Sequence, residues 1–538
     1  MGGVRWQGHL YLKHGPDLRR IILLLVGFFY FLLPQTRQKS FILKGAQKFF
    51  EALMIPRFRW CFALSALGVS LALSVLQAFS LRTTLYDVGI FHQILWSLSQ
   101  GLGFHSTISG AGDFLSDHFS PSLALLVPLF VIFKKSPLFL PVLQPILLFG
   151  GGLSWIFLAS KIEGISEEYR KKWLRALTLI LFSFESFWGN LKWGFHENAI
   201  AFCCLSWAFA LVLGEGRAWP HQKWRTRFIA FVLLLIAAGS KEILLLDVSF
   251  FFMVWAVFLV HTKAQKKESL LFSLLLVLSA FGLLYFFIRF ENLGHPIDKN
   301  YFLRYYSYLG NNLTDFFRTL IQDPRIVIRT VGAWELIKYG ITLFSPWLFI
   351  PLILIRKNLI SLSWFLVALP SLGSAALATY LPLRRSEFHY VLEIWPVLAA
   401  LTLLALRYYR SNTLLGVWVF WSLLQMRSDP IMELREFWVS SQEVSSLREK
   451  LKQIPESASL SADELAGPWV AGRKWVMRWP EVFLLPRKCP DFVLLRDSHE
   501  IDFDYFRRLA RDCGFQEPWL MRWKQGAWSL YSQPQGSR

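Results

Sequence analysis

The sequence predicts an all-α polytopic membrane protein with about eleven transmembrane helices, closed by a small C-terminal α/β soluble domain. Three observations predict it. Of 538 residues, 54% are hydrophobic and only 17% charged, where soluble domains carry roughly 25%. Long apolar runs recur from Phe58 to about Gln425, more apolar surface than one globule can hide from water. From Met426 onward no run of membrane length recurs, and charged and apolar residues mix. The 57 Lys+Arg outnumber the 37 Asp+Glu by a net charge of +20. Cytoplasmic loops rich in basic residues account for that surplus, so no nucleic-acid partner is implied. Five cysteines without a Cys-x-x-Cys, two of them adjacent at Cys203 and Cys204, predict neither a disulfide framework nor a zinc site.

The elements follow in order. In the basic segment 1–57, expected to be cytoplasmic or interfacial, 21–33 is apolar after Arg19-Arg20 but has no small-residue cleavage site behind it. It reads as an interfacial or half-length helix. The transmembrane region, 58–425, opens with a span at 58–81, and Arg37, Lys39, Lys44, Lys48, Arg57 and Arg59 hold its start in the cytoplasm. The loop 82–118 is therefore outside. The piece 119–133 is short and broken by Pro121 and Pro128. If it crossed, the basic loop 161–175 would fall outside, so it reads as a re-entrant or tilted partial helix. Spans at 138–160, 174–192, 198–213, 228–240, 243–261, 269–290, 335–355, 359–380, 388–407 and 412–425 then alternate, with the remaining basic loops inside. The tail, 426–538, falls outside. In it 435–453 and 503–513 read as helices, and 458–461, 474–477, 492–495 and 527–531 as strands.

Polar residues that this topology gathers on the outer face are the candidates for chemistry. Asp87 precedes a helix expected over 88–100, with Ile90, Phe91, Ile94, Leu95 and Leu98 on one arc and His92, Gln93, Trp96, Ser97 and Gln100 on the other, a pattern for the membrane surface. Asp87 is either its cap or a catalytic base. Asp117 and His118 sit where the chain re-enters the apolar layer, as a metal- or proton-handling pair or as a polar start before Pro121. His196 and Glu197 mark the outer end of the next spans. Lys241 and Glu242 break a long apolar run, where charge is expensive, as a functional pair or a self-satisfying turn. Arg384 and Arg385, followed by His389 and Tyr390, cap a late span. Paired arginines suit phosphate oxygens, and a snorkelling belt is the alternative. Tyr301, Tyr305, Tyr306, Tyr308, Asn311 and Asn312 in the loop 291–334 either stack on a sugar or form an interfacial belt.

The order Tyr86-Asp87-x-Gly89-x-Phe91-x-Gln93-x-x-Trp96, Asp117-His118-Phe119-Ser120-Pro121, Trp193-Gly194-Phe195-His196-Glu197, Lys241-Glu242 and Phe388-His389-Tyr390 resembles a bacterial family of predicted integral membrane proteins of unassigned function. The tail, through Ser459-x-Ser461 and Asp491-Phe492-Val493-Leu494-Leu495, resembles it too. That family is similar in layout to the GT-C glycosyltransferases, which take sugars from polyprenyl-phosphate donors. The resemblance implies an acidic residue in the first outer loop as catalytic base or metal holder. By position this is Asp87, with Asp117 as the later acidic residue. Asp87 lacks the adjacent second carboxylate often seen in that superfamily, so a divalent metal ion is left open as cofactor.

The expectation is a multi-pass protein of the bacterial inner membrane that transfers sugar from a polyprenyl-phosphate-linked donor, among membrane lipids and without nucleic acid. Asp87, Asp117 and His118 are its catalytic candidates. His196, Glu197, Lys241, Glu242, Arg384, Arg385, His389 and Tyr390 are expected to bind substrate. The alternative is a transporter or flippase of a lipid or small solute, with Lys241-Glu242 and His196-Glu197 as intramembrane sites. The oligomeric state is not legible.

Overall fold

Apolar runs of helical length wind into helices because lipid offers no partner for an unpaired backbone group. In the computed structural model, residues 56–533 are described except 111, 117, 163–164, 184, 215–223, 262–266, 293–304, 356–358, 386–387, 407–411, 426–428, 481–488, 497–506, 509–510 and 515–518. The expected 21–33 helix, Asp117, Tyr301 and most of the 503–513 helix lie outside the described residues.

Helices occupy the expected spans. Pro56–Phe79 is the first, and Phe139–Lys161, Asn198–Gly214, Trp224–Ala238, Glu242–His261, Lys267–Asn292, Leu359–Leu377 and Asn412–Gln425 follow. Among the described residues, Phe139–Lys161, Glu242–Val260 and Leu270–Ile288 are long and apolar enough to cross a membrane by length and composition alone, and the other apolar helices are shorter. The expected 174–192 run is described as the helices Glu167–Ser183 and Glu185–Trp193 on either side of residue 184. Among the described residues, two further spans are broken. The expected 335–355 run splits into Ala333–Phe344 and Ile350–Ile355, with Pro346 in the intervening turn and positive φ at Leu348 and Phe349. The carbonyls freed there are not left bare, because the indoles of Trp418 and Trp421 donate to Pro346 and Ser345 at 2.9 and 2.8 Å. The late span begins as a 3₁₀ turn, His389–Glu393, and becomes an α-helix only at Trp395–Leu406, where Pro396 suits the first turn.

The segment 119–133 forms two short pieces, Pro121–Leu126 and Val127–Ile132, before Lys134 and Lys135 turn the chain at positive φ. At about 1.5–2 Å per residue these pieces are too short to cross. Ser122 N–H donates to the Gly239 carbonyl at 2.8 Å and the Ser120 hydroxyl to the Ser240 carbonyl at 2.9 Å. The partial helix therefore seats on the break between the Trp224–Ala238 and Glu242–His261 helices.

In the first loop, β1 (His105–Ser106) pairs antiparallel with β2 (Gly112–Asp113), and in the tail β3 (Leu460–Ala462) lies between β4 (Val476–Arg478) and β5 (Phe492–Arg496), parallel to both. The hairpin β6 (Leu520–Gln525) and β7 (Trp528–Ser532) extends the sheet antiparallel, giving the order β4-β3-β5-β7-β6. β6 was not expected. The cysteine expectation also needs correction, because Cys489 and Cys513 form a disulfide, 24 residues apart with Cα atoms 5.6 Å apart. A single pair at that spacing has no sequence signature.

A second correction concerns the helix after the first span. The chain makes one π-helical turn at Leu85–Gly89 and then the α-helix Ile90–Ser99. Thr84, not Asp87, is the cap, its hydroxyl oxygen accepting from Asp87 N–H. The arc expected to face water is buried except at its end, where Gln100 is exposed, and Gln93 and Ser97 are fully inaccessible. Gln93 is a hydrogen-bond hub. Its amide nitrogen donates to the Thr107 hydroxyl and to the Arg473 and Lys474 carbonyls at 3.1, 3.1 and 3.3 Å. Its amide oxygen accepts from Ser106 Oγ and Thr107 N–H at 2.9 and 3.0 Å. Thr107 also exchanges two hydrogen bonds with the Val476 backbone of β4. Trp469 Nε1 donates to the Ala78 carbonyl at 2.8 Å, and the Arg448 guanidinium binds the Phe79 carbonyl. Gly467, at φ +49, lies so close that a Cβ there would collide with the Thr83 carbonyl oxygen. The polar arc of the helix is thus the docking face for the tail.

Candidate functional site

Asp87 lies inside the π-helical turn, a geometry that recurs at functional sites because it opens the helical ladder locally. The Thr84 hydroxyl donates to its Oδ2 at 2.7 Å. Its Oδ1 lies 3.7 Å from His196 Nε2. Gly194 makes that approach feasible: it turns at φ +78, and a Cβ there would meet the Val88 side chain. Burial pushes the Asp87 carboxyl up. The neighbouring His196 imidazole, the Thr84 hydroxyl and the charge of Arg478 outweigh it and hold the carboxyl below the ordinary aspartate range. Arg478 arrives from the end of β4, with its guanidinium 4.9 Å from the Tyr86 ring and 3.8 Å from a Glu464 carboxylate oxygen.

From His196 the site runs inward. His196 and His389 stack with ring centroids 3.7 Å apart, and His389 lies 4.1 Å from the Tyr390 ring. The Lys241 ammonium sits 4.5 Å over that ring and 3.2 Å from Glu393 Oε1. Asn198 donates to the same Glu393 oxygen. Glu197 is buried beside this group, and its charge acts on Lys241. On the other side of Lys241, Glu242 accepts from Phe119 N–H at 3.3 Å and lies 3.4 Å from His118 Nδ1. Trp193 and Phe388 stack at 4.6 Å, and Tyr305 and Tyr380 at 4.9 Å.

A family model described as "Predicted membrane protein (DUF2079)" matches residues 77–537. The chain belongs to that family. No curated protein matches its sequence. In structure, this DUF2079 chain is similar to ArnT from Cupriavidus metallidurans, crystallised bound to undecaprenyl phosphate, with a TM-score of 0.51 and 12% identity over 89% of this chain and 98% of that one. At that identity the likeness is one of fold, and the GT-C-like layout expected from the sequence is the layout observed.

The DUF2079 chain brings together Asp87, His118, His196, Glu197, Lys241, Glu242, His389 and Tyr390 from five separate stretches of sequence. Asp117 lies outside the described residues. Arg384 stands apart: it is buried, binds the Ala378 carbonyl, and has Tyr308, Tyr306, Tyr339 and Glu335 as its electrostatic neighbours. Arg385 follows it, half-buried. Sequence reasoning missed Glu393, Asp247, Ser371 and Arg478. Asp247 carried a usable signal, a carboxylate inside an apolar run. Among the described residues, no three His, Cys, Asp or Glu side chains converge so as to hold a metal ion.

Proposed function

We propose that this membrane protein is a glycosyltransferase that moves a sugar from a polyprenyl-phosphate donor to an acceptor at the outer face of the bacterial inner membrane. The observation that carries the reading is Asp87, a carboxylate kept ionised in the first loop and paired with His196, in a chain whose fold resembles that of a protein crystallised with undecaprenyl phosphate.

In this reading the acceptor hydroxyl gives its proton to Asp87 as its oxygen attacks the sugar C1. The bond from C1 to the phosphate oxygen breaks, and polyprenyl phosphate leaves with the electron pair. His196 orients the Asp87 carboxylate. Positive charge for the leaving phosphate comes from Arg385 and Arg478, and Lys241 and Arg384 add to the potential behind them. His118, Glu197, Glu242, His389 and Tyr390 shape the wall that receives the sugar. The tail, 426–538, bears on the choice of acceptor through β4.

The test gives purified protein a radiolabelled polyprenyl-phosphate sugar. Wild type transfers or hydrolyses the label, and Asp87→Asn does not. Movement of intact donor across vesicles, with label never leaving the lipid, would favour the transporter alternative and defeat the proposal.

A further inference from the structure

Asp247 sits on the second turn of the Glu242–His261 helix, almost wholly buried. Pro370 interrupts the hydrogen-bond ladder of the facing Leu359–Leu377 helix, and Ser371, the next residue, turns both its polar groups toward Asp247. Its N–H donates to Asp247 Oδ1 at 3.1 Å, and its hydroxyl contacts Asp247 Oδ2. The same hydroxyl lies 3.1 Å from Glu393 Oε2. A serine hydroxyl has one hydrogen to donate, and an ionised carboxylate can only accept. One hydroxyl therefore cannot satisfy two buried carboxylates at once.

The charge inventory points the same way. The groups facing Asp247 and Glu393 are Lys241, Glu242 and Glu197, with the Tyr339 phenol near both carboxyls and the Tyr306 phenol near Glu393. Glu393 has the Lys241 ammonium and the Asn198 amide as partners. Among the described residues, Asp247 has only Ser371 as a hydrogen-bond partner. Separately, Glu197 Oε2 and Asn198 Oδ1 are buried acceptors with no hydrogen-bond partner among the described residues. The cluster is rich in acceptors and short of hydrogens, and an unpaired buried charge neutralises rather than bear its desolvation cost.

We propose that Asp247, Ser371 and Glu393 form a proton-binding site within the membrane region, in which Asp247 holds the proton. The Asp247 carboxylic acid donates to Ser371 Oγ, and Ser371 donates in turn to Glu393, which keeps its charge against Lys241. The site does not depend on the transferase reading. It lies at the inner end of the line of side chains that runs through Lys241, Tyr390, His389 and His196 to Asp87.

Infrared difference spectra of the purified full-length protein at neutral pH test it. Wild type minus Asp247→Asn should lose one protonated-carboxyl C=O band, sensitive to exchange into D₂O, and Glu393→Gln should keep that band at a shifted frequency. Loss of only an ionised-carboxylate band in Asp247→Asn would overturn the proposal. Ser371→Ala provides a second arm that leaves both carboxyls in place: the acid band should move as its hydrogen-bond partner is removed. A band unmoved in Ser371→Ala would also overturn it.

Discussion

Replacing Gln93 with leucine removes the hub between the first loop and the tail while conserving much of the side-chain volume. The Arg473 and Lys474 carbonyls would lose their Gln93 donor, and Thr107 N–H and Ile108 N–H their acceptor, with Ser106 free to rotate away. Each buried group left without a partner costs about 1–3 kcal/mol. The Lys474 carbonyl keeps His105 Nε2 at 3.1 Å. Taking the lower figure for the other three backbone groups, because relaxation and water entry relieve part of the loss, Gln93→Leu should destabilise the folded chain by about 3 kcal/mol. In a chain this long that is a fall in Tm of about 3 °C. Unfolding followed by tryptophan fluorescence in detergent measures it, and limited proteolysis should show the tail cut first. Gln93→Glu keeps the acceptor but sets a carboxylate against two carbonyls, and should be no better. An unchanged Tm and unchanged tail protection in Gln93→Leu would mean that this face does not hold the tail, and the docking argument fails.

Under the transferase reading, Asp87→Asn should lower transfer by roughly 10²-fold or more while Tm, measured in the same detergent, stays near wild type. The Asp87 carboxyl is held below the ordinary aspartate range, so its stabilising contribution is present above that range and is lost as pH falls through the lowered value. His92 has the opposite chemistry: burial pushes its imidazole down to about 4, so the folded form is neutral. Its contribution is complete above the ordinary histidine value and is lost as pH falls toward 4, and His92→Gln should flatten that part of a Tm-against-pH curve. Gly467→Ala combines a positive φ with a clash on Thr83 and should destabilise by about 2 kcal/mol or more, read from chemical unfolding. Lys241→Met should cost about 3–5 kcal/mol by stranding Glu393, and adding Glu393→Gln should restore much of it; a fully additive double variant would disprove the pairing.

The spans were legible because membrane crossing is written locally, in runs of apolar residues whose length the bilayer sets. The proline-broken segment 119–133 was legible for the same reason. The Ile90–Ser99 helix was misread on one face because a polar arc that meets water and one that meets a folded domain have the same period. Only the chain some 380 residues later, at Arg473, decides between them. Glu393 escaped notice as a single carboxylate beside an aromatic-rich span start, and its role depends on Lys241 and Ser371 from other helices. Asp247 could have been flagged by its setting, but its partner could not. β6 was overlooked because its residues are mostly exposed and show little alternation.

The docking of residues near 80–107 on residues near 448–476 sets an order on how the chain assembles. Phe79 and Arg448, and Thr107 and Val476, are each 369 positions apart. Synthesis proceeds from the N-terminus at about 5–20 residues per second, so the first loop emerges roughly tens of seconds before the strand that covers it. Throughout that interval Gln93 and Thr107 lack the tail backbone groups with which they pair in the finished fold. Asp87 therefore reaches its final surroundings only after nearly the whole chain has been made, and a chain cut short anywhere before β4 carries the aspartate without the Arg478 that helps to keep it ionised.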